Sequence, residues 1–125
     1  MRVLVVDDDG PILEAVDEVL TSEGFVVKSE VDSRRALCAA KSFRPDVALI
    51  DYNMPGLDGL TLARKLHDEP STRDVPIVMM SAHPPSPELT AAADIAVLLK
   101  PFSIVRLIEV LRLRGGDSVG LAAPT

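Results

Sequence analysis

Short apolar runs alternate along the chain with longer stretches in which apolar residues recur at helical spacing. The short runs predict strands buried on both faces, and the longer stretches predict the helices that connect them. The expected strands are residues 3–6, 25–27, 47–50, 77–80 and 95–99. Because strands that alternate with helices form a parallel sheet covered on both faces, the pattern predicts an α/β fold.

Polar residues mark where several of the helices should begin. Ser33, Asp58 and Ser103 each precede a helical stretch and can act as N-caps. Pro11 suits the first turn of the first helix, and Asp9 beside it is expected to be a cap or turn residue. These signals place the helix starts close to the ends of the strands.

The fourth helix is expected to be short. Pro84, Pro85 and Pro87 delay its start until about residue 88, which leaves one or two turns before residue 93. The last helix should end at a glycine pair, at positions 115 and 116. We therefore expect one domain over residues 1–114, followed by a flexible tail or the start of an interdomain linker over residues 115–125.

Composition limits the kinds of function that need to be considered. The 125 residues carry 13 Lys and Arg against 19 Asp and Glu, a net charge of −6, so direct nucleic-acid binding by this chain is not expected. Aromatic residues make up 3% of the chain, which argues against a base-stacking surface. The single cysteine, Cys38, excludes an internal disulfide and is expected to be buried. No stretch is long enough for a membrane span, and we expect a cytoplasmic protein.

Charged and hydroxyl side chains follow four of the five predicted strands. Asp7 and Asp8 come after the first strand, Asp51 after the third, Ser81 after the fourth and Lys100 after the fifth. The carboxyl ends of parallel strands share one edge of the sheet, so these side chains should lie together. Three carboxylates and one ammonium leave a charge of about −2, which should raise the pKa of a carboxylate or bind a hard cation, best Mg²⁺.

These residues lie within segments that resemble the signatures of the response-regulator receiver domain. The resemblance covers about residues 1–114, and it implies a doubly wound five-stranded sheet in the flavodoxin-like order 2-1-3-4-5 with a shortened fourth helix. The segments that carry it are Val5-Val6-Asp7-Asp8-Asp9, Asp51-Tyr52-Asn53-Met54-Pro55-Gly56-Leu57-Asp58-Gly59, Met80-Ser81-Ala82 and Lys100-Pro101-Phe102.

The resemblance also implies a function and a metal site. Asp51 would accept a phosphoryl group from a sensor histidine kinase or a phosphotransfer protein, and the conformational change would signal to an output partner or domain that the sequence does not name. Mg²⁺ would be held by Asp7, Asp8, Asp51 and the backbone carbonyl of Asn53, with Asp8 favoured over Asp7 as a direct ligand.

Further roles follow from the same resemblance. Ser81 would hydrogen-bond the phosphoryl group, and Lys100 would pair first with Asp51 and then with a phosphoryl oxygen. Ala82 would leave a small gate beside the site, and His83, like Asn53, would tune hydrolysis. The Lys100-Pro101 peptide bond is expected to be cis because the lysine must turn back over the site.

Two departures from the family pattern concern output. The position three residues before the lysine, which usually holds Tyr or Phe, is Val97. The segment between Ser81 and Lys100 is also short for the family and rich in proline. These departures predict an altered output face beside intact phosphorylation chemistry.

Two other functions compete with a phosphorylated receiver. Asp7-Asp8-Asp9-Gly10 resembles the opening motif of haloacid-dehalogenase-type phosphatases, but Pro11 leads straight into a helix and no acid pair follows Lys100. The second alternative is an interaction module on the receiver fold that works without phosphorylation, which Val97 and the short fourth helix favour. We expect no enzymatic turnover beyond the chain's own phosphoryl transfer and slow dephosphorylation.

Overall fold

The computed structural model of the protein describes residues 1–83, 86–92 and 94–116. Strands and helices alternate along these residues, as the apolar pattern predicts. The strands are β1 (Arg2–Val6), β2 (Val26–Glu30), β3 (Val47–Asp51), β4 (Ile77–Ser81) and β5 (Ile95–Leu99). The helices are α1 (Gly10–Ser22), α2 (Ala36–Phe43), α3 (Gly59–Asp68), α4 (Pro87–Ala92) and α5 (Ile104–Arg114), with a short 3-10 helix at Ser33–Arg35 before α2.

All five strands are parallel and lie in the order β2-β1-β3-β4-β5. The chain runs outward from β1 to β2, then crosses back to β3 and continues to β4 and β5. The direction of winding therefore changes between β1 and β3, and sites in open parallel sheets lie beyond the carboxyl ends of strands at such a point. This arrangement confirms the predicted strand order.

Each face of the sheet buries its own apolar cluster. Successive side chains of a strand point to opposite faces, so Val3 and Val5 pack under α1 and α5, while Leu4 and Val6 pack under α2 and α3. The central strands β1, β3 and β4 are buried almost throughout, which explains their unbroken apolar sequences. Helices thus pack on both faces of the sheet, and the polar strand ends lie along the edge between the two helix layers.

Side-chain caps begin three of the helices where the sequence places them. The amide of Ile12 donates to Asp9 Oδ1 (3.2 Å), the amide of Thr61 donates to Asp58 Oδ1 (2.8 Å), and that of Arg106 donates to Ser103 Oγ (3.1 Å). Each bond satisfies one amide that has no partner within its helix. Asp9 is therefore a helix cap, as expected.

Three local expectations are wrong. Asp32, not Ser33, caps the helical segment that leads into α2, by accepting from the amide of Arg34 (2.9 Å). The second strand begins after Phe25 and continues to Glu30, because the polar residues 28–30 pair with β1 at the sheet edge. Cys38 is exposed, because α2 turns its alanines toward the sheet.

The fourth helix is short, as predicted. It spans six residues, Pro87–Ala92, and β5 begins at Ile95. Pro84, Pro85 and the predicted helix end at residue 93 lie outside the described residues, as do tail residues 117–125. Within the part of the chain that the structure describes, no helix has the length and apolar character to cross a membrane.

Candidate functional site

The ends of four strands bring the predicted site residues to one edge of the sheet. The amide of Tyr52 donates to the carbonyl of Met80 (2.9 Å), and the amide of Lys100 donates to the carbonyl of Ser81 (2.9 Å). These two bonds extend the β3–β4 and β4–β5 pairing just past the strands. Asp51, Ser81 and Lys100 are consequently held in a fixed register by the backbone.

Three carboxylates converge at this edge. Asp7 and Asp8 follow β1 and Asp51 ends β3, and one oxygen from each lies within 4.8 Å of the others. Asp7 and Asp51 are only 1% and 6% exposed, whereas Asp8 is exposed to solvent. The cluster thus has two buried acids and one that faces the solvent, a donor set of hard oxygens suited to Mg²⁺.

Asp7 lies in surroundings that disfavour its ionised form. Its Oδ1 accepts from the amide of Asp9 (3.0 Å), while among the described residues no hydrogen-bond donor reaches its buried Oδ2. Burial raises the pKa of Asp7 above its ordinary value, the Asp9 amide lowers it, and Asp51 raises it further. A buried carboxylate oxygen without a partner fits a cation between the three acids, as predicted from their charge.

Lys100 provides the positive charge at the site. Its Nζ lies 3.0 Å from Asp51 Oδ1, and its side chain is 30% exposed against 8% for that of Asp51. The Lys100-Pro101 peptide bond is cis, as expected from the sequence. The lysine therefore pairs with the buried Asp51 carboxylate, its predicted partner.

Ser81 lies on the neighbouring strand, buried and already hydrogen-bonded. Its hydroxyl donates to the carbonyl of His83 (2.6 Å), across the turn that leaves β4. Ala82 and His83 are exposed on this turn. A hydroxyl donor and two exposed positions thus border the carboxylates on the β4 side.

The loop from β3 to α3 closes the other side of the site. Asn53 is exposed at its start, whereas the next side chain, Met54, is buried in the core. The loop closes where the amide of Gly59 donates to the carbonyl of Tyr52 (2.9 Å). A Cβ at Gly59 would lie 2.5 Å from the Asp51 carbonyl oxygen, so only glycine lets α3 start this close to the site.

Val97 lies in the middle of β5, half-buried, beside Met79 of β4. No aromatic side chain occupies this position. Valine is branched at Cβ, so the side chain at this position has little conformational freedom.

Comparison with known proteins decides the family. The sequence model described as "Response regulator receiver domain" matches residues 3–112. The chain belongs to the response regulator receiver domain family. Receiver domains are the signalling modules of two-component systems, and this chain is a receiver module of that kind.

Relatives and solved structures agree with this membership. The chain is 40% identical to the transcriptional regulatory protein CseB of Streptomyces avermitilis over 94% of this chain and 52% of that protein. It spans about half or less of the curated relatives it matches. Chemotaxis protein CheY4 of Vibrio cholerae superposes with a TM-score of 0.83 at 31% identity, over 90% of this chain and 97% of the other.

A second solved receiver domain bears on the metal. The receiver domain of sensor histidine kinase PA1611 from Pseudomonas aeruginosa has a TM-score of 0.81 at 28% identity and covers 92% of this chain and 97% of its own. That structure holds a magnesium ion in its active-site cleft. In the present receiver domain, the acid cluster is compatible with a metal ion.

Two residues that shape the site were not assigned a role at the site from the sequence. Gly59 stood within the recognised motif, but its role depends on the distance between α3 and β3. Ser33 lies far from Asp51 along the chain, yet its hydroxyl contacts the β3–α3 loop. No local sequence signal distinguishes either role, because both depend on which loops the fold brings together.

Proposed function

We propose that Asp51 is the phosphoacceptor of this receiver domain and takes its phosphoryl group from a phosphohistidine of a sensor histidine kinase or a phosphotransfer protein. The observation that carries the proposal is the buried Asp51 carboxylate, with Lys100 Nζ 3.0 Å away and two other carboxylates within 4.8 Å. A carboxylate is an established acceptor in covalent phosphoryl transfer.

The transfer needs little covalent assistance from the protein. A carboxylate oxygen of Asp51 bonds to phosphorus while the phosphorus–nitrogen bond of phosphohistidine breaks, and the electron pair of that bond stays on the imidazole nitrogen. The residues around Asp51 contribute orientation and charge neutralisation. Lys100, already paired with Asp51, stabilises the negative charge that arrives with the phosphoryl oxygens.

Mg²⁺ is the cofactor that we propose for this reaction. Asp7, Asp8, Asp51 and the backbone carbonyl of Asn53 would hold it, and the bound ion would supply charge neutralisation at the phosphoryl oxygens. The oxygen of Asp7 that has no hydrogen-bond partner among the described residues supports this assignment. Because Asp8 is exposed, a cation bound to its carboxylate can also keep water ligands, as Mg²⁺ usually does.

Ser81 is proposed to bind the phosphoryl group after transfer. Its hydroxyl would exchange the His83 carbonyl, 2.6 Å away, for a phosphoryl oxygen. That exchange would release the turn after β4, and we propose that this movement is the signal. Ala82 leaves room beside the phosphoryl group, while Asn53 and His83 control the access of water and therefore the rate of hydrolysis.

The partner that receives the signal is an output domain or a separate protein of the two-component system. We propose that residues 1–114 form the complete receiver domain and that residues 115–125 link or trail it. Val97 and the short α4 favour an output face that differs from the usual one. We further propose that the protein acts in the cytoplasm, without direct contact between this chain and nucleic acid.

The proposed receiver carries out no enzymatic turnover beyond its own phosphoryl transfer and slow dephosphorylation. Membership of the receiver family argues against the haloacid-dehalogenase-like phosphatase. The other alternative is a receiver-fold module that works without phosphorylation, which the aliphatic Val97 favours. Hydrolysis of p-nitrophenyl phosphate with many turnovers would support the phosphatase. A single stable phosphorylation would support the receiver.

The decisive experiment is incubation with acetyl phosphate and Mg²⁺, followed by measurement of the intact mass. We expect the wild-type chain to gain the mass of one phosphoryl group and Asp51→Asn to gain none. Asp9→Asn, a change at a nearby exposed acid that keeps the α1 cap, is the matched control and should react like wild type. No gain by the wild-type chain, or an equal gain by Asp51→Asn, contradicts the proposal.

A further inference from the structure

One buried hydroxyl from the loop before α2 hydrogen-bonds the β3–α3 loop. Ser33 precedes α2 and is only 3% exposed. Its Oγ donates to the carbonyl of Pro55 (3.2 Å) and accepts from the amide of Leu57 (3.2 Å). Because Asp32 caps the helical segment in its place, the Ser33 hydroxyl is free to make both of these contacts.

The two groups that Ser33 contacts are the ends of one tight turn. The amide of Leu57 also donates to the carbonyl of Pro55 (3.0 Å), and Gly56 between them has φ +83°. A three-residue hydrogen-bonded turn with positive φ at its centre is a γ-turn of the rarer kind, and glycine adopts that φ without steric cost. The Ser33 side chain, which comes from another loop, bridges both ends of this turn.

Arg34 adds packing to the same turn. A Cβ built on Gly56 would lie 3.6 Å from Cδ of Arg34, so the stem of the arginine lies over the glycine. The arginine also pairs with Asp32, whose Oδ1 lies 3.1 Å from its Nε. The loop before α2 therefore contacts the turn in two ways: the Ser33 hydroxyl hydrogen-bonds it, and the aliphatic part of Arg34 packs on it.

This turn begins two residues after Asn53. On one side of Asn53, the Gly59 amide holds the carbonyl of Tyr52 (2.9 Å), and on the other the buried Met54 leads directly into the turn. Met54 is therefore the only residue between Asn53 and the turn, and a change in the turn can reach the Asn53 backbone through it. The carbonyl of Asn53 is the backbone group assigned to Mg²⁺ in the proposed function.

We propose that Ser33 is a positioning residue for the metal site: its hydroxyl holds the γ-turn in the conformation from which the Asn53 carbonyl binds Mg²⁺. The inference rests on the proposed function. Groups behind a metal ligand orient it, and their loss typically weakens metal affinity. A purely structural role for Ser33 would instead lower stability equally with and without Mg²⁺.

The test is a MgCl₂ titration of Ser33→Ala against wild type, followed by the fluorescence of Tyr52, the only tyrosine in a chain without tryptophan. We expect the half-saturating Mg²⁺ concentration to rise about tenfold. Amide hydrogen exchange without Mg²⁺ should also be faster at Leu57. Ser33→Cys keeps the shape but has a weak donor and acceptor, so it should show the same shift where the alanine variant does not fold.

Thr72→Val is the matched control. The hydroxyl of Thr72 is also buried and donates to a backbone carbonyl, that of Leu66 (2.6 Å), but it lies beyond the far end of α3. This variant should lose stability while its half-saturating Mg²⁺ concentration stays within about twofold of wild type.

Three outcomes decide against the inference in distinguishable ways. An unchanged half-saturating concentration in Ser33→Ala, with a clear wild-type response, overturns the role of Ser33 alone. An equal rise in Thr72→Val assigns the effect to general loosening and overturns it as well. A wild-type chain that does not respond to Mg²⁺ contradicts the proposed function itself and, with it, the positioning role.

Discussion

At the scale of single residues, the site holds a carboxylate whose charge opposes folding. Asp7 is 1% exposed, its Oδ2 has no hydrogen-bond partner among the described residues, and burial raises its pKa above the ordinary value. A pKa that is raised in the folded state means that ionised Asp7 lowers the free energy of unfolding at neutral pH. This loss diminishes as the pH falls through the folded-state pKa.

Asp7→Asn should therefore stabilise the protein in the absence of Mg²⁺. It removes the charge and keeps the oxygen that accepts from the Asp9 amide. We expect a gain of about 1–2 kcal/mol at neutral pH, measured by thermal or urea unfolding, and loss of the stabilisation that Mg²⁺ gives wild type. Asp9→Asn, which removes an exposed charge nearby, controls for net charge. A melting temperature of Asp7→Asn equal to that of this control contradicts the prediction.

Lys100 should matter more for signalling than for folding. Lys100→Ala leaves the buried Asp51 carboxylate beside two others without its 3.0 Å partner, and without Mg²⁺ this should cost about 1–2 kcal/mol. With Mg²⁺ the melting temperature should approach that of wild type, because the cation takes over part of the neutralisation. Residual phosphorylation should remain, but the phosphorylation-dependent change in amide exchange over residues 82–103 should be lost.

The matched control for this lysine is Lys65→Ala, at an exposed position on α3. It should keep the full exchange difference between phosphorylated and unphosphorylated protein. A full difference in Lys100→Ala as well means that the lysine does not transmit phosphorylation.

At the scale of secondary-structure elements, the approach of α3 to the end of β3 sets the geometry of the site. Gly59→Ala would place a Cβ 2.5 Å from the Asp51 carbonyl oxygen and 2.9 Å from Cα of Tyr52, both backbone atoms. We expect α3 to shift away, with a loss of about 1–3 kcal/mol in unfolding experiments and weaker Mg²⁺ binding.

Gly10→Ala is the control for the glycine substitution. Gly10 also lies at the start of a helix, but a Cβ built there would have no neighbouring atom within 4 Å. This variant should be as stable as wild type or slightly more stable, because alanine favours the helix. Equal effects of the two substitutions would show that the close contact at Gly59 does not determine the site.

At the scale of the whole molecule, two apolar clusters stabilise the sheet from its two faces. The described cluster members end at Leu111 in α5, which packs with α1 on one face. A chain that ends at residue 116 should therefore melt within about 1 °C of the full chain and be phosphorylated equally. A chain that ends at residue 103 lacks α5 and should not fold, as circular dichroism would show. A large loss of stability on removing residues 117–125 alone contradicts the proposed domain boundary.

The sequence by itself determined the parts of this protein that depend on neighbouring residues. Unbroken apolar runs predicted the buried central strands, and polar residues at positions 9, 58 and 103 predicted caps that the structure confirms. Strand ends alone predicted that Asp7, Asp51, Ser81 and Lys100 would meet, because parallel strands all deliver their carboxyl ends to one edge. The short fourth helix also followed locally, from the prolines before it and at its start.

Only the tertiary structure decided the features that depend on residues distant in the chain. It left Asp7 buried and Asp8 exposed, although the two are adjacent and chemically identical. It gave the cap before α2 to Asp32 and directed Ser33 to a turn more than twenty residues away. A hydroxyl bonds whichever polar group the fold brings within reach, and a carboxylate's charge is stabilised by whatever surrounds it. Neither the partner of the hydroxyl nor the environment of the carboxylate can be read from the residues next to it in the sequence.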